Sequence, residues 1–222
     1  MRILFSGCPG YGHLHPMLPL VRAAARAGHD VAVATGPEMA ARLAERGYDT
    51  WAVGPTFAES WDERNAALPD LATVPPERHM ALDIVALFGA SAVKRAVDLV
   101  PRAQAWRPDL VVHETVEFAG AIAARRVGAP HVTHALGVPL PAPMRAVLAT
   151  AMGEVFTRWH APGLVDEVLA APYLDISPPA LRPGASRRSA TWCPCARTRE
   201  RSSPPTACRP LSRPGPPRTS RT

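Results

Sequence analysis

Apolar positions along the chain alternate between short continuous runs and longer stretches spaced at three and four residues. Arg2 to Phe5 is a short apolar run and reads as a strand. Met17 to Ala27 carries Leu18, Val21 and Ala25 at helical spacing, and Gly28 stands where a helix C-cap belongs. Val31 to Ala34 predicts a second strand, Glu38 to Arg46 a second helix closed by Gly47, and Tyr48 to Val53 a third strand. The order β-α-β-α-β with right-handed crossovers makes these strands parallel. Gly54 to Pro76 reads as a long connection, and Glu77 to Trp106 as mostly helical, with Pro101 breaking it or starting a second piece. Pro108 to His113 gives strand four, Glu117 to Val127 a helix closed by Gly128, and His131 to His134 strand five. Leu136 to Pro143 is a proline-containing loop; Met144 to Trp159 and Leu164 to Ala170 follow as helices, and Tyr173 to Ile176 as a last strand before a turn region at Ser177 to Pro183. The pattern predicts an α/β fold, a Rossmann-like parallel sheet with helices on both faces, over residues 1–183.

Composition changes sharply after that point. Gly184 to Thr222 is rich in Arg, Pro, Ser and Thr, with almost no large apolar residue, and cannot bury enough surface to offset chain entropy. Residues 184–222 are therefore expected to be a disordered tail. The net charge of +6 resides there: the tail carries +8 and the body −2. An anionic partner such as nucleic acid thus has no support in the body. Only Cys8 of four cysteines lies in the body, and Cys193-Pro-Cys195 has no second pair or histidine at zinc-ligand spacing. No run of about 18 apolar residues exists, so no membrane span is expected and the protein reads as cytoplasmic.

Candidate chemistry concentrates in the first turn, where Gly7, Gly10 and Gly12 join the first strand to the first helix. Glycines there permit positive φ and close approach of a backbone or ligand. His13 lies at the carboxyl end of the strand, the edge where open α/β sheets place ligands, and an imidazole there can take a proton from a substrate near neutral pH. The bland alternative is a histidine that merely caps the helix. A nicotinamide-binding domain is the competing enzyme reading, but the spacing is G-x-x-G-x-G rather than G-x-G-x-x-G. Thr35-Gly36 also stands where a ribose-binding acid is wanted. A phosphate-binding P-loop is excluded by the missing Gly-Lys-Ser/Thr.

The stretch Met1-Arg-Ile-Leu-Phe-Ser-Gly-Cys-Pro-Gly-Tyr-Gly-His-Leu-His-Pro-Met-Leu-Pro-Leu20 resembles the N-terminus of family 1 glycosyltransferases with the GT-B fold, particularly actinobacterial enzymes acting on macrolides and other natural products. Ala27-Gly-His-Asp-Val-Ala-Val-Ala-Thr35, Arg107-Pro-Asp-Leu-Val-Val-His-Glu114 and Val127-Gly-Ala-Pro-His-Val132 agree in order and spacing. The resemblance implies an N-terminal acceptor-binding domain in which His13 deprotonates an acceptor hydroxyl. The freed oxygen then attacks the anomeric carbon of a nucleotide-activated sugar with inversion. Glu114 stands where the family usually has an Asp that holds this histidine. Gly10, Gly12, Phe57, Trp61, Phe88, Leu136 and Met144 are candidates for lining a pocket for a hydrophobic small-molecule acceptor, with core packing the alternative for each apolar one alone. His15 is read as holding the loop, and His113, His131 and His134 as satisfied core or edge residues. No metal or cofactor is expected, the nucleotide sugar being a co-substrate.

In the resembled family a second domain binds that donor, marked by a Gly-Thr strand end and a His-Gly-Gly helix start, and neither occurs here. Residues after about Pro183 are expected to be an out-of-frame translation of GC-rich DNA, because the codons of Ala190 to Arg197, shifted, can spell the Pro-Leu-Arg-Pro-like segment the family carries there. On this view the chain is a truncated glycosyltransferase, inactive alone; the other reading is a non-catalytic acceptor-binding module.

Overall fold

Residue alternation within the strands explains the layers. In the computed structural model, described here for residues 1–138 and 140–178, β1 (Arg2–Ser6) turns Ile3 and Phe5 to one face of a sheet and Leu4 to the other. Five more parallel strands join it: β2 (Asp30–Thr35), β3 (Thr50–Ala52), β4 (Leu110–Glu114), β5 (His131–His134) and β6 (Tyr173–Leu174). Their spatial order is β3-β2-β1-β4-β5-β6, the doubly wound arrangement. The short helix α1 (Tyr11–Leu14), α2 (Leu18–Arg26) and α3 (Pro37–Ala44) cover the Ile3–Phe5 face with Leu14, Met17, Val21, Met39 and Leu43. The opposite face, with Leu4, Ala32 and Val111, packs under helices of the second half of the chain.

Those helices follow a connection that the sequence reading leaves as loop. It contains α4 (Phe57–Ala67), opened by a capping box in which Thr56 Oγ1 accepts from the Glu59 N–H and Glu59 reaches back to the Thr56 N–H. The helix escapes a periodicity reading because its apolar residues form no single stripe. Two 3₁₀ turns and α5 (His79–Asp83) lead into a π-helical segment, Ile84–Gly89, and then α6 (Ala90–Trp106). Pro101 does not break α6. It lies on the exposed face with Val97, so the carbonyl left without its N–H partner meets water.

After β4 come α7 (Ala119–Val127), α8 (Ala142–Arg158) and α9 (Leu164–Ala170). Gly28, Gly47 and Gly128 adopt positive φ at helix ends, as their placement predicts. Gly7, Gly10 and Gly12 do not, which corrects the expectation for the first turn. Gly7 is needed for packing, since a Cβ there would stand 2.6 Å from Leu14 Cδ2. No described helix is long and apolar enough to cross a membrane. The expected tail, 184–222, and the turn at 179–183 lie outside the described residues.

Candidate active site

In the strand order β3-β2-β1-β4-β5-β6, the chain reverses direction across the sheet between β1 and β4, so the loops after these strands part and leave a crevice. His13 follows β1 in α1, and Glu114 is the last residue of β4. The two meet there: His13 Nδ1 lies 2.8 Å from Glu114 Oε1. Glu114 is fully buried, and its other oxygen accepts from the Val116 N–H at 2.7 Å. The His13 side chain remains 23% exposed, enough to meet a ligand.

Electrostatics sets the state of this pair. Burial alone would push the Glu114 carboxyl up, but the hydrogen bond and charge of His13 and the Val116 N–H outweigh it and hold the group below its usual range. Burial likewise works against a charged His13, yet the hydrogen bond and charge of Glu114 win and raise the imidazole above its ordinary value. An ionised carboxylate only accepts, so Nδ1 carries the hydrogen and Nε2 keeps a lone pair. That is the tautomer a general base requires.

Two cavities flank His13, with Phe88 between them; its ring centroid is 5.2 Å from the imidazole. One, of about 220 Å³, is bordered by Gly10, Phe57, Trp61, Phe88 and Arg95. The other, of about 170 Å³, is bordered by Met80, Phe88, Leu136, Val138 and Tyr173. Thr115, Leu140 and Tyr173 carry the second cavity on into a hollow of about 340 Å³ under α8 and α9. The Trp61 indole Nε1 is buried with no hydrogen-bond partner among the described residues.

Of the pocket candidates, Gly10, Phe57, Trp61, Phe88 and Leu136 border these cavities, and a Cβ on Gly10 would come within 3.0 Å of His13 Cδ2. Gly12 and Met144 border neither cavity at His13. A Cβ on Gly12 would meet open space, and Met144, in the first turn of α8, packs against the main core. His15 is exposed, its ring edge-on to Tyr11. His113 and His131 share a 3.2 Å contact, and His134 is buried at the end of β5, with its Nδ1 meeting no hydrogen-bond partner among the described residues.

The sequence reading misses three residues at this site. Arg95 sits fully buried beneath the turn, bonded to Glu117 and Cys8. A signal exists, for Arg95 falls on the stripe Ala92, Ala96, Leu99 and Ala103 that α6 buries. Cys8, His13 and Glu114 offer metal-capable donors within 4.8 Å of one another. Burial pushes the Cys8 thiol well up, and the Arg95 guanidinium, 3.3 Å from its sulfur, opposes a cation. The donor set therefore fits proton transfer better than metal binding.

Comparison with known proteins follows the same lines. The model of the family "Erythromycin biosynthesis protein CIII-like, N-terminal domain" matches residues 22–189, beginning beyond His13. An L-demethylnoviosyl transferase from Streptomyces niveus is 33% identical over 186 residues, covering 82% of this chain and 46% of that protein. An aclacinomycin-T 2-deoxy-L-fucose transferase from Streptomyces galilaeus is 28% identical over 65% of this chain and 39% of its own. The glycosyltransferase SnogD from Streptomyces nogalater superposes with a TM-score of 0.61 at 26% identity, over 86% of this chain and 50% of that one. The chain thus spans half or less of the length of these relatives. It belongs to the erythromycin biosynthesis protein CIII-like N-terminal domain family, the Rossmann-like first half of actinobacterial natural-product glycosyltransferases with the GT-B fold.

Proposed function

We propose that residues 1–183 are the acceptor-binding domain of a glycosyltransferase that moves a hexose or deoxysugar from a nucleotide sugar to a hydroxyl of a hydrophobic natural product. The observation that carries this reading is the 2.8 Å bond between His13 and the buried Glu114 at the mouth of apolar cavities. With Nδ1–H held by the carboxylate, Nε2 takes the acceptor hydroxyl proton as the oxygen attacks the anomeric carbon from the side opposite the leaving diphosphate, inverting the centre. Glu114 stabilises the imidazolium that forms.

Nucleotide sugar is expected to be held by a second domain, as the resemblance implies. Met80 and Val138, both more than half exposed, border the same cavity as His13, so the cavity opens toward solvent on that side. Relatives named as transferases of noviosyl and deoxyfucosyl groups support a deoxysugar.

A fusion of this domain to the C-terminal half of the Streptomyces niveus relative tests the assignment. His13→Ala is expected to lower kcat/KM for sugar transfer by roughly 10²–10⁴-fold while leaving acceptor affinity nearly unchanged. Equal turnover by the variant and the parent would show that His13 is not the base. Acceptor binding without any transfer by the parent would favour a non-catalytic acceptor-binding module.

A further inference from the structure

Arg95 is 1% exposed, yet it carries a charge that a protein cannot remove. Burying a guanidinium is costly unless its donors are matched, so its partners are informative. Nε donates to Glu117 Oε1 at 3.2 Å, and one Nη reaches Cys8 Sγ at 3.3 Å. Glu117 also accepts from Ser6 Oγ at 2.7 Å and from the N–H groups of Ala119 and Gly120. Gly54, in the turn after β3, packs its Cα directly on the Arg95 stem at φ +72°, and its N–H donates to Asp98 one turn further along α6. A single side chain therefore touches the loops after β1, β3 and β4. The first of these leads into α1 with His13, and the last begins directly after Glu114.

We propose that Arg95 is a positioning residue for the His13–Glu114 pair, clamping the loops after β1 and β4 together and placing a fixed positive charge beside the base. Its catalytic meaning rests on the reading of His13 as the general base; the clamp itself does not. Charged and titratable groups facing His13 are Glu114 from β4, Cys8 from the loop after β1 and Arg95 from α6, with Tyr173 of β6 on the same cavity. Those facing Arg95 are Cys8, Glu117 and Glu114, with Asp98 on its own helix. Glu114 favours protonated His13 and Arg95 disfavours it. Arg95 thus limits how far the carboxylate raises the imidazole.

The test is an NMR titration of the histidine imidazoles in the full 222-residue chain, with His13 assigned by its loss in His13→Gln. Arg95→Met is expected to move the His13 midpoint up, because the charge that disfavours the imidazolium is gone. Arg95→Lys, which keeps the charge, is expected to leave it within about 0.2 units. An unmoved His13 in folded Arg95→Met overturns the proposal. If that variant does not fold, Arg95→Met with Glu117→Gln avoids stranding a buried carboxylate. The same upward movement is expected there, because Arg95 and not Glu117 acts on His13, and an unmoved midpoint again overturns the proposal. The readout needs no turnover. A titration that follows Arg95 while transfer proves independent of His13 would remove the base assignment and leave the Arg95 charge beside His13 standing.

Discussion

At the residue scale the site depends on one methylene and one buried charge. Glu114 replaces the Asp expected from the resemblance, and its longer side chain still meets His13 because the Val116 N–H holds the second oxygen in place. The carboxylate charge is what raises His13, so Glu114→Gln is expected to bring the His13 midpoint down, read by the same imidazole titration. A midpoint unchanged by that substitution would mean that the pair is not electrostatically coupled. Glu114→Asp shortens the reach and is expected to weaken the contact while keeping the charge.

At the element scale, helices supply most of the cavity walls: Phe57 and Trp61 from α4, Met80 from α5, Phe88 from the π-helical segment and Arg95 from α6. The π-helical segment Ile84–Gly89 carries Phe88, and its extra residue in the turn aims that ring at His13. Phe88→Ala is expected to join the two cavities beside His13 into one and to admit bulkier acceptors, measured as a lower Kd for large ring systems relative to small ones. No change in that ratio would mean that the cavities act separately. The turn after β3 is equally constrained. A side chain on Gly54 would adopt an unfavourable φ and overlap Arg95, so Gly54→Ala is expected to cost about 2 kcal/mol or more in denaturant unfolding. A cost of a few tenths would show that the turn and α6 yield easily.

At the scale of the whole molecule, acid stability follows from three histidines on β4 and β5. Burial, with the neighbouring His113, lowers His131 to about 4, and burial also lowers His113 and His134. The unfolded chain therefore binds more protons than the folded one between about pH 6.5 and 4, and stability falls as pH drops through that window. Glu114, held low when folded, adds a loss in the same direction at still lower pH. His13 works the other way: its contribution is present below its unfolded value and lost as pH rises through the folded one. His131→Gln is expected to recover roughly 1 kcal/mol of the loss at pH 4.5, a figure reduced for its partial exposure. Chemical denaturation at pH 7 and 4.5 measures it, and an identical pH slope in the variant would assign the loss to other groups.

The sequence by itself determined the succession of strands along the chain, their parallel direction and the ends of several helices, because those follow from local periodicity, glycine caps and the handedness of crossovers. It also marked His13 as a candidate, through its place at the carboxyl end of the first strand and the resemblance of the turn that carries it. The helix α4 was read as connection, although its Thr56–Glu59 capping box is a local helix-start signal that its apolar spacing does not repeat. What only the tertiary structure decided is which charges meet. Glu114 was linked to His13 by resemblance alone, and their contact spans 101 residues of chain. Arg95 meets Cys8 across 87 residues and Glu117 across 22; the apolar stripe of α6 marks Arg95 as buried, but nothing local names the partners that match its charge. Met144 and Gly12 show the converse: residue type and neighbourhood suit a pocket, but the direction each faces is settled by packing. Long-range pairing is a property of the sheet order, and the site exists because that order sets the ends of β1 and β4 side by side.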